Sequence, residues 1–422
     1  MNFKFVHVAD LHLDSPFVGL RSAPDPVTRA LEGASFAAYD RVIATALERQ
    51  VDFVLIAGDV YDSEDRSLRA QLRFRDGLGR LAQAGIESFV VYGNHDPLDG
   101  WSARIEWPQL AHRFGADAVE AVPICRDGLP IAAVYGMSHR HRELRSNLAR
   151  RFRATGDDAF AIGLLHANVE GIGGHENYAP CCLADLETAG MDYWALGHVH
   201  RPTVLRSETP VIVYPGSTQA RTRAEQGERC CYVVSIKGGV ASLEPVAVDA
   251  VRWHSVDIPI TGLDSDQALL DRLDDALREL RDDVGDRPAV CSITLSGSGI
   301  LYHVLSKPRY LEDLLDHLQT DQSGDPFVWV DRVELAATPE LDRDERKQAH
   351  DFAAELLGIV DEIRASPQRL AELRDELAPL LEQLEKIPRR VAVPFPTDEE
   401  QLTDWLERAE AVCLNLLEGG RS

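Results

Sequence analysis

The 422-residue chain has no uninterrupted apolar run of the ~20 residues that a bilayer-spanning helix needs. It shows no secretion signal either: its first apolar run is a short strand broken by Lys4 and His7. Cysteine is sparse and unpaired in pattern, with seven residues and no Cys-x-x-Cys. Cys181-Cys182 and Cys230-Cys231 are adjacent pairs, poorly suited to a disulfide framework. Buried thiols in a reducing cytoplasm are expected, and a zinc site built on them is not. No Gly-x-x-x-x-Gly-Lys occurs, so any P-loop ATPase activity belongs to another chain. Positive charge is scarce: 44 Lys and Arg stand against 69 Asp and Glu, for a net charge of -25.

The deficit is uneven. Residues 1–250 hold 25 basic and 32 acidic side chains, a net of -7, and the remainder 19 and 37, a net of -18. An acidic chain is not the usual profile of a nucleic-acid binder. Backbone phosphates need only a local basic groove, however, and the arginines cluster. Arg66, Arg69, Arg73, Arg75 and Arg80 fall on or beside a helix expected over residues 68–84. Arg140, Arg142, Arg145, Arg150, Arg151 and Arg153 are opposed only by Glu143. For either cluster a solvated surface is the competing reading.

What the chain does have is one pattern repeated five times. An apolar strand over residues 3–9 ends in Asp10-Leu11-His12. Residues 53–57 end in Gly58-Asp59-Val60-Tyr61-Asp62, and residues 89–92 in Gly93-Asn94-His95-Asp96. Residues 160–165 end in His166-Ala167-Asn168, and residues 193–196 in Gly197-His198-Val199-His200. A buried strand that stops in a tight turn pushes the next side chains out at the sheet edge, where ligand sites form in open α/β sheets. Carboxylate, amide and imidazole are donors for a hard-to-borderline divalent ion. One such strand end is commonplace; five in chain order argue for a metal centre.

The order and spacing of these five motifs resemble the signature of the calcineurin-like metallophosphoesterases, over roughly the first half of the chain. Asp10-Leu-His-Leu-Asp-Ser-Pro-Phe17 and the long C-terminal extension resemble the SbcD-like DNA repair exonucleases, the YhaO-type branch most closely. The resemblance implies an α/β double-sheet sandwich flanked by helices, with metals at the strand C-termini. It implies two divalent ions bridged by Asp59, one held also by Asp10, His12 and His200, the other by Asn94, His166 and His198. It favours Mn²⁺, while the same ligands accept Fe or Zn. Such a pair activates a water and clamps both the attacking and the leaving oxygens of an in-line displacement at phosphorus. His95 adjoins a ligand without being one, which suits it to protonate the leaving alkoxide, and Asp62 would orient it. Arg66, Arg140 and Arg142 are the candidate substrate contacts. The implied partners are DNA and the coiled-coil base of an ABC-type, SbcC-like ATPase, with a homodimer as the family's common assembly.

Three regions are expected: a catalytic domain over 1–248, a small βαβαβ capping domain over 249–338, and a helical partner-binding region over 339–422. In the first, residues 41–50 and 68–84 read as helices, and 131–135, Val211–Tyr214 and 231–236 as strands. In the second, strands at 256–259, 288–296 and 327–335 alternate with helices at 264–281 and 310–318. His303 and Lys307 there, and His175 and Tyr178 after His166, are further candidates for substrate contact. In the third, Ala349 to Ile363 and Leu370 to Leu384 give two apolar stripes. A linker follows over 388–396, and Thr397 with Glu400 opens a last helix. The leading reading is a metal-dependent DNA nuclease, a 3′–5′ exonuclease with endonuclease nicking as a companion activity. A phosphodiesterase or phosphatase for a small molecule would use the same site. A scaffold for a partner ATPase would have no need of all seven ligands.

Overall fold

Strand β1 (Asn2–Val8) turns Phe3 and Phe5 to one side and Val6 and Val8 to the other, and all four are buried. A strand apolar on both faces needs cover on both. The computed structural model, which describes residues 2–15, 23–62, 67–156, 159–171, 178–320, 326–340, 346–348, 351–384 and 399–419, supplies it with helices on one side and a second sheet on the other.

The first sheet runs in the order β12 (Val240–Ala247), β11 (Cys230–Lys237), β1, β2 (Phe53–Ala57), β3 (Glu87–Val91), β4 (Ala111–Arg113). Strands β1 to β4 are parallel, with Phe5 beside Phe53 and Leu55 beside Phe89, and β11 and β12 add antiparallel. The second sheet runs β5 (Glu120–Arg126), β6 (Leu129–Met137), β7 (Ala161–His166), β8 (Tyr193–Gly197), β10 (Val211–Tyr214), β9 (Thr203–Arg206). Its four inner strands are parallel and its two edge strands antiparallel. Both sheets are therefore mixed. Their inner faces share one core, in which Phe5 meets Tyr193 edge-on at 5.2 Å and Phe3 meets Phe160 at 5.6 Å. Such pairs add ~0.5–1.5 kcal/mol each beyond their buried area.

Helices α1 (Asp25–Glu48) and α2 (Leu68–Gln83) cover the outer face of the first sheet through Tyr39, Val42, Ile43, Phe74 and Leu78. The helix expected over 41–50 begins sixteen residues earlier, at Asp25. Its first half buries Val27, Leu31 and Ala34 against Trp253, Val290 and Trp329, and Phe36 and Tyr39 elsewhere. A helix buried on several sides shows no single stripe. Ser67 caps α2 by accepting from Ala70 N. A short helix, α3 (Leu183–Glu187), precedes β8.

The chain forms two compact units: Met1–Ser255 with Asp283–Cys291 and Gln322–Asp331, and Val256–Asp282 with Ser292–Asp321 and Arg332–Ser422. Beyond β12 come β13 (Arg252–Pro259), α4 (Asp266–Val284), β14 (Ala289–Ser296), β15 (Ser298–Gly299), α5 (Tyr302–Leu305), α6 (Tyr310–Thr320), β16 (Val328–Leu335) and β17 (Thr338–Pro339). Strands β13, β14 and β16 make a three-stranded sheet, with β14 central, and β15 and β17 pair in parallel. Helices α7 (Phe352–Arg364), α8 (Pro367–Leu384) and α9 (Glu399–Gly419) complete the second unit, with Ala353 and Leu357 packed on Leu414. The linker over 388–396 and the cap at Thr397 lie outside the described residues. Among the described residues no helix is long and apolar enough to cross a membrane.

Candidate metal centre

Parallel register brings the strand ends of each sheet to one edge. In the first sheet Val8 stands beside Ile56 and Ala57 beside Val91. The chains stay paired beyond the strands: Asp10 N donates to Gly58 O at 3.1 Å and His12 N to Asp59 O at 3.0 Å. In the second sheet His166 stands beside Gly197. His198 N then donates across to Asp10 Oδ1 and Oδ2 at 3.2 and 3.1 Å, joining the two edges. Two glycines permit the approach. A Cβ on Gly197 would lie 1.9 Å from Ala57 O, and one on Gly93 would lie 2.2 Å from Asp59 Oδ1. Asp10, His12, Asp59 and His198 all have positive φ, at 52°, 41°, 49° and 109°. Left-handed backbone in non-glycine residues is costly and concentrates at functional sites.

All seven expected ligands meet here. Ligand atoms of Asp10, His12 and His200 lie within 4.8 Å of one another, and so do those of Asp10, Asp59 and His166. Asn94 Oδ1 is 3.1 Å from His166 Nε2 and 3.2 Å from His198 Nδ1. Asp59 Oδ2 lies between the groups, 3.4 Å from His166 Nε2 and 3.9 Å from His12 Nε2. Six of the seven are almost wholly buried, and His200 is largely buried.

The proton positions test whether these groups suit a cation. His200 Nδ1 is 2.6 Å from Glu225 Oε1, and a carboxylate only accepts, so Nδ1 carries the proton. His12 Nδ1 faces Asp62 Oδ1 at 3.1 Å, an ion-pair distance rather than an aligned hydrogen bond. The Nε2 atoms of His12 and His200 face each other across 3.2 Å, and with the His12 proton on the Nδ1 that faces Asp62 both present lone pairs. His166 Nδ1 donates to Ala57 O at 2.8 Å, so its Nε2 lone pair points at the oxygens of Asn94 and Asp59. Lone pair against lone pair is repulsive unless a proton or a metal ion sits between them. The donor set thus fits two divalent ions, with Glu225 and the Ala57 carbonyl fixing the tautomers of His200 and His166.

Without a metal ion, the same crowding shifts the titration of these groups. Burial opposes charge on Asp59, but the charge and hydrogen bond of His166 outweigh it and hold the carboxyl well below the usual range. Burial would likewise lower His166; Asp59 and then Asp10 overcome it and raise the ring to about 9. Burial raises Asp10, and it lowers His12 to about 3, helped by nearby Arg221. His12 is therefore a neutral ligand at neutral pH.

His95, half-buried, stands edge-on to His12 with ring centroids 5.0 Å apart. Its backbone N–H donates to Asp59 Oδ1 at 3.0 Å, and its ring Nδ1 lies 2.9 Å from the backbone oxygen of Asp62. The Asp62 carboxylate is farther, at 3.9 Å, and turns instead to His12 and to Arg221. Asp62 thus meets His95 through its carbonyl, and its carboxylate faces His12. Arg66 lies outside the described residues, as does His175. Arg140 pairs with exposed Asp117, and Arg142 is exposed. Four arginines of α2 face acids: Arg69 pairs with Asp14 (3.7 Å), Arg73 and Arg80 with Asp40 (2.5 and 3.2 Å), and Arg75 with Asp76 (2.5 Å).

Three groups around the cluster, Glu225, Arg221 and His139, lie outside the five motifs, and Asp96, within the third, takes a part the motif alone does not show. Glu225 holds His200, and Arg221 ties Asp62 to Ser15 Oγ, the latter at 3.1 Å. His139 Nε2 lies 2.6 Å from His166 O. Asp96 accepts from Val60 N and Gly93 N, both at 2.7 Å, and so locks two motif loops together. Strand β10 ends in Pro215-Gly216-Ser217-Thr218-Gln219, a sixth strand end of the same kind, and it leads directly to Arg221 and Glu225.

The calcineurin-like phosphoesterase profile matches residues 3–202, and that of the middle domain of metallophosphoesterase YhaO matches residues 253–338. Metallophosphoesterase YhaO of Bacillus subtilis is 34% identical over 414 residues, covering 97% of each chain. The DNA double-strand break repair protein Mre11 of Haloferax volcanii is 25% identical over 398 residues, covering 90% of this chain and 82% of its own. Mre11 of Sulfurisphaera tokodaii is 23% identical, over 72% of this chain and 76% of its own. The chain belongs to the calcineurin-like metallophosphoesterases, and within them to the YhaO family. Its kinship with Mre11 is more distant.

Proposed function

We propose that this phosphoesterase is a two-metal DNA nuclease, a 3′–5′ exonuclease with nicking as a companion activity. Asp59, placed between the Asp10–His12–His200 group and the His166–Asn94 pair, carries the two-metal reading. Asp10, His12, Asp59 and His200 would hold one ion, and Asp59, Asn94, His166 and His198 the other, with Mn²⁺ the first candidate. When bound, such a pair supplies an activated water and neutralises charge gathering on the phosphoryl oxygens. The chain's own work is to set this geometry and to deliver a proton. His95, fixed by Asp59 and by the Asp62 carbonyl, is placed to protonate the leaving alkoxide.

DNA as substrate draws its support from the Mre11 relatives and from the 170 or so residues beyond the catalytic sheets. In this reading residues 1–248 are catalytic, 249–338 form a middle domain, and 339–422 engage a coiled-coil ATPase. A small phosphodiester is the second reading, favoured by the acids that face the α2 arginines. The protein is to be incubated with Mn²⁺ and either end-labelled DNA or bis-p-nitrophenyl phosphate. Turnover of the small ester alone would select the second reading.

A further inference from the structure

We propose that a cavity beside His200 binds a second phosphate of the substrate, one that is not under attack. This deepens the nuclease reading and rests on it. The cavity encloses about 920 Å³ and is lined in part by His200, Arg201, Arg221, Glu225, Glu228 and Arg229. That volume suits a nucleotide-sized group. His200 forms part of its wall, so the cavity borders the group of candidate metal ligands.

The charges in the wall are unequally engaged. Glu225 is used on both oxygens, by His200 Nδ1 and by Arg221 N, each at 2.6 Å. Glu228 pairs with Arg252 at 2.8 Å. Arg229 donates only to carbonyls among the described residues, those of His200 and Gln226, both at 3.0 Å. Its Nε has no partner although the residue is only 5% exposed. Arg221 binds Asp62 and Ser15, and its buried Nε is also unpartnered. Arg201 is exposed and has no side-chain partner among the described residues. Buried donors left unmade are costly, and a phosphate brings several acceptor oxygens at once. Guanidinium matches phosphate geometry better than it matches a neutral ligand. In a chain of net charge -25, a cavity with three arginines, where both glutamates are already paired, selects an anion. The substrate class is therefore an ester that carries a further phosphate, as an oligonucleotide does.

The test compares three dinucleotides with Mn²⁺: dTpdT, the same with a 5′-phosphate, and the same with a 3′-phosphate. The wild type should prefer one of the phosphorylated forms by about tenfold in kcat/KM, the worth of one charge-assisted contact. Arg201→Glu should erase that preference. A wild type without preference, or a variant that keeps it, overturns the proposal. A second measurement uses metal-free protein and calorimetry with thymidine 3′,5′-bisphosphate, against thymidine as control. Binding should be salt-sensitive and about tenfold weaker in Arg201→Glu. Equal binding by both proteins, or none, overturns the cavity. Binding that depends on Arg201, in a protein that cleaves no dinucleotide, supports the cavity and sinks the nuclease reading instead.

Discussion

Glu225 Oε1 sits 2.6 Å from His200 Nδ1, and both side chains are largely buried. Burial would raise the carboxyl, but the hydrogen bond to His200 wins and holds it down at about 2. It is therefore ionised at any working pH, and it aims the imidazole by fixing its proton on Nδ1. Glu225→Gln keeps the shape and removes the charge. Partners of this kind are worth ~10–100-fold in metal affinity. The variant should lose one equivalent of metal to a chelator well before the second, with an unchanged circular dichroism spectrum. Retention of both equivalents at wild-type affinity would show that the pair only packs the loop.

His95 belongs to neither group of three built on Asp10; its ring gathers instead with His12 and Asp62. His95→Ala should keep wild-type metal content while kcat falls ~10²–10⁴-fold, the usual worth of a general acid. Esters with a p-nitrophenolate leaving group need less protonation, so they should lose less than DNA does. Elemental analysis together with rates on both substrates decides it, and loss of metal would reassign His95 as a ligand.

Gly197 marks where the two sheet edges meet. A Cβ there would lie 1.9 Å from the backbone oxygen of Ala57, which no rotamer change can relieve. Gly197→Ala should cost about 1–3 kcal/mol, toward the upper end, because the obstacle is main chain. Gly79 in α2 is the control, since a Cβ there meets nothing within 4 Å. Gly79→Ala should be neutral or stabilising by up to ~1 kcal/mol. In thermal melts Gly197→Ala should fall clearly, while Gly79→Ala should hold or rise.

The seven candidate ligands were legible as a set because each stands within a few residues of its own strand, where apolar run, turn and polar side chain are read together. Glu225 and Arg221 were not. Arg221 meets Asp62 across 159 residues, and only the folded sheets bring them together. Asp62 was expected to orient His95; its carbonyl faces the ring, while its carboxylate is drawn off by Arg221, which no local pattern shows. The length of α1 was hidden for a different reason: Val27 and Leu31 pack on Trp253 and Trp329 while Val42 and Ile43 pack on the sheet, so the apolar positions never fall into one stripe.

His166 gives the metal-free protein a pH signature. Its ring is raised from 6.5 to about 9, so the folded state holds a proton that the unfolded chain releases. The stabilisation is complete below pH 6.5 and is lost as pH climbs through about 9. Other buried groups act elsewhere. His7, His12 and His139 are lowered to about 3, 3 and 4, so they change stability only below 6.5. Metal-free protein should therefore lose a few kcal/mol between pH 6.5 and 9, by denaturant titration. His166→Gln should flatten that slope. Ions must displace the same proton, so binding Mn²⁺ at pH 7.5 should release protons to the buffer. Calorimetry in buffers of different ionisation enthalpy counts them, and a heat independent of buffer would mean that the His166 ring enters the site already neutral.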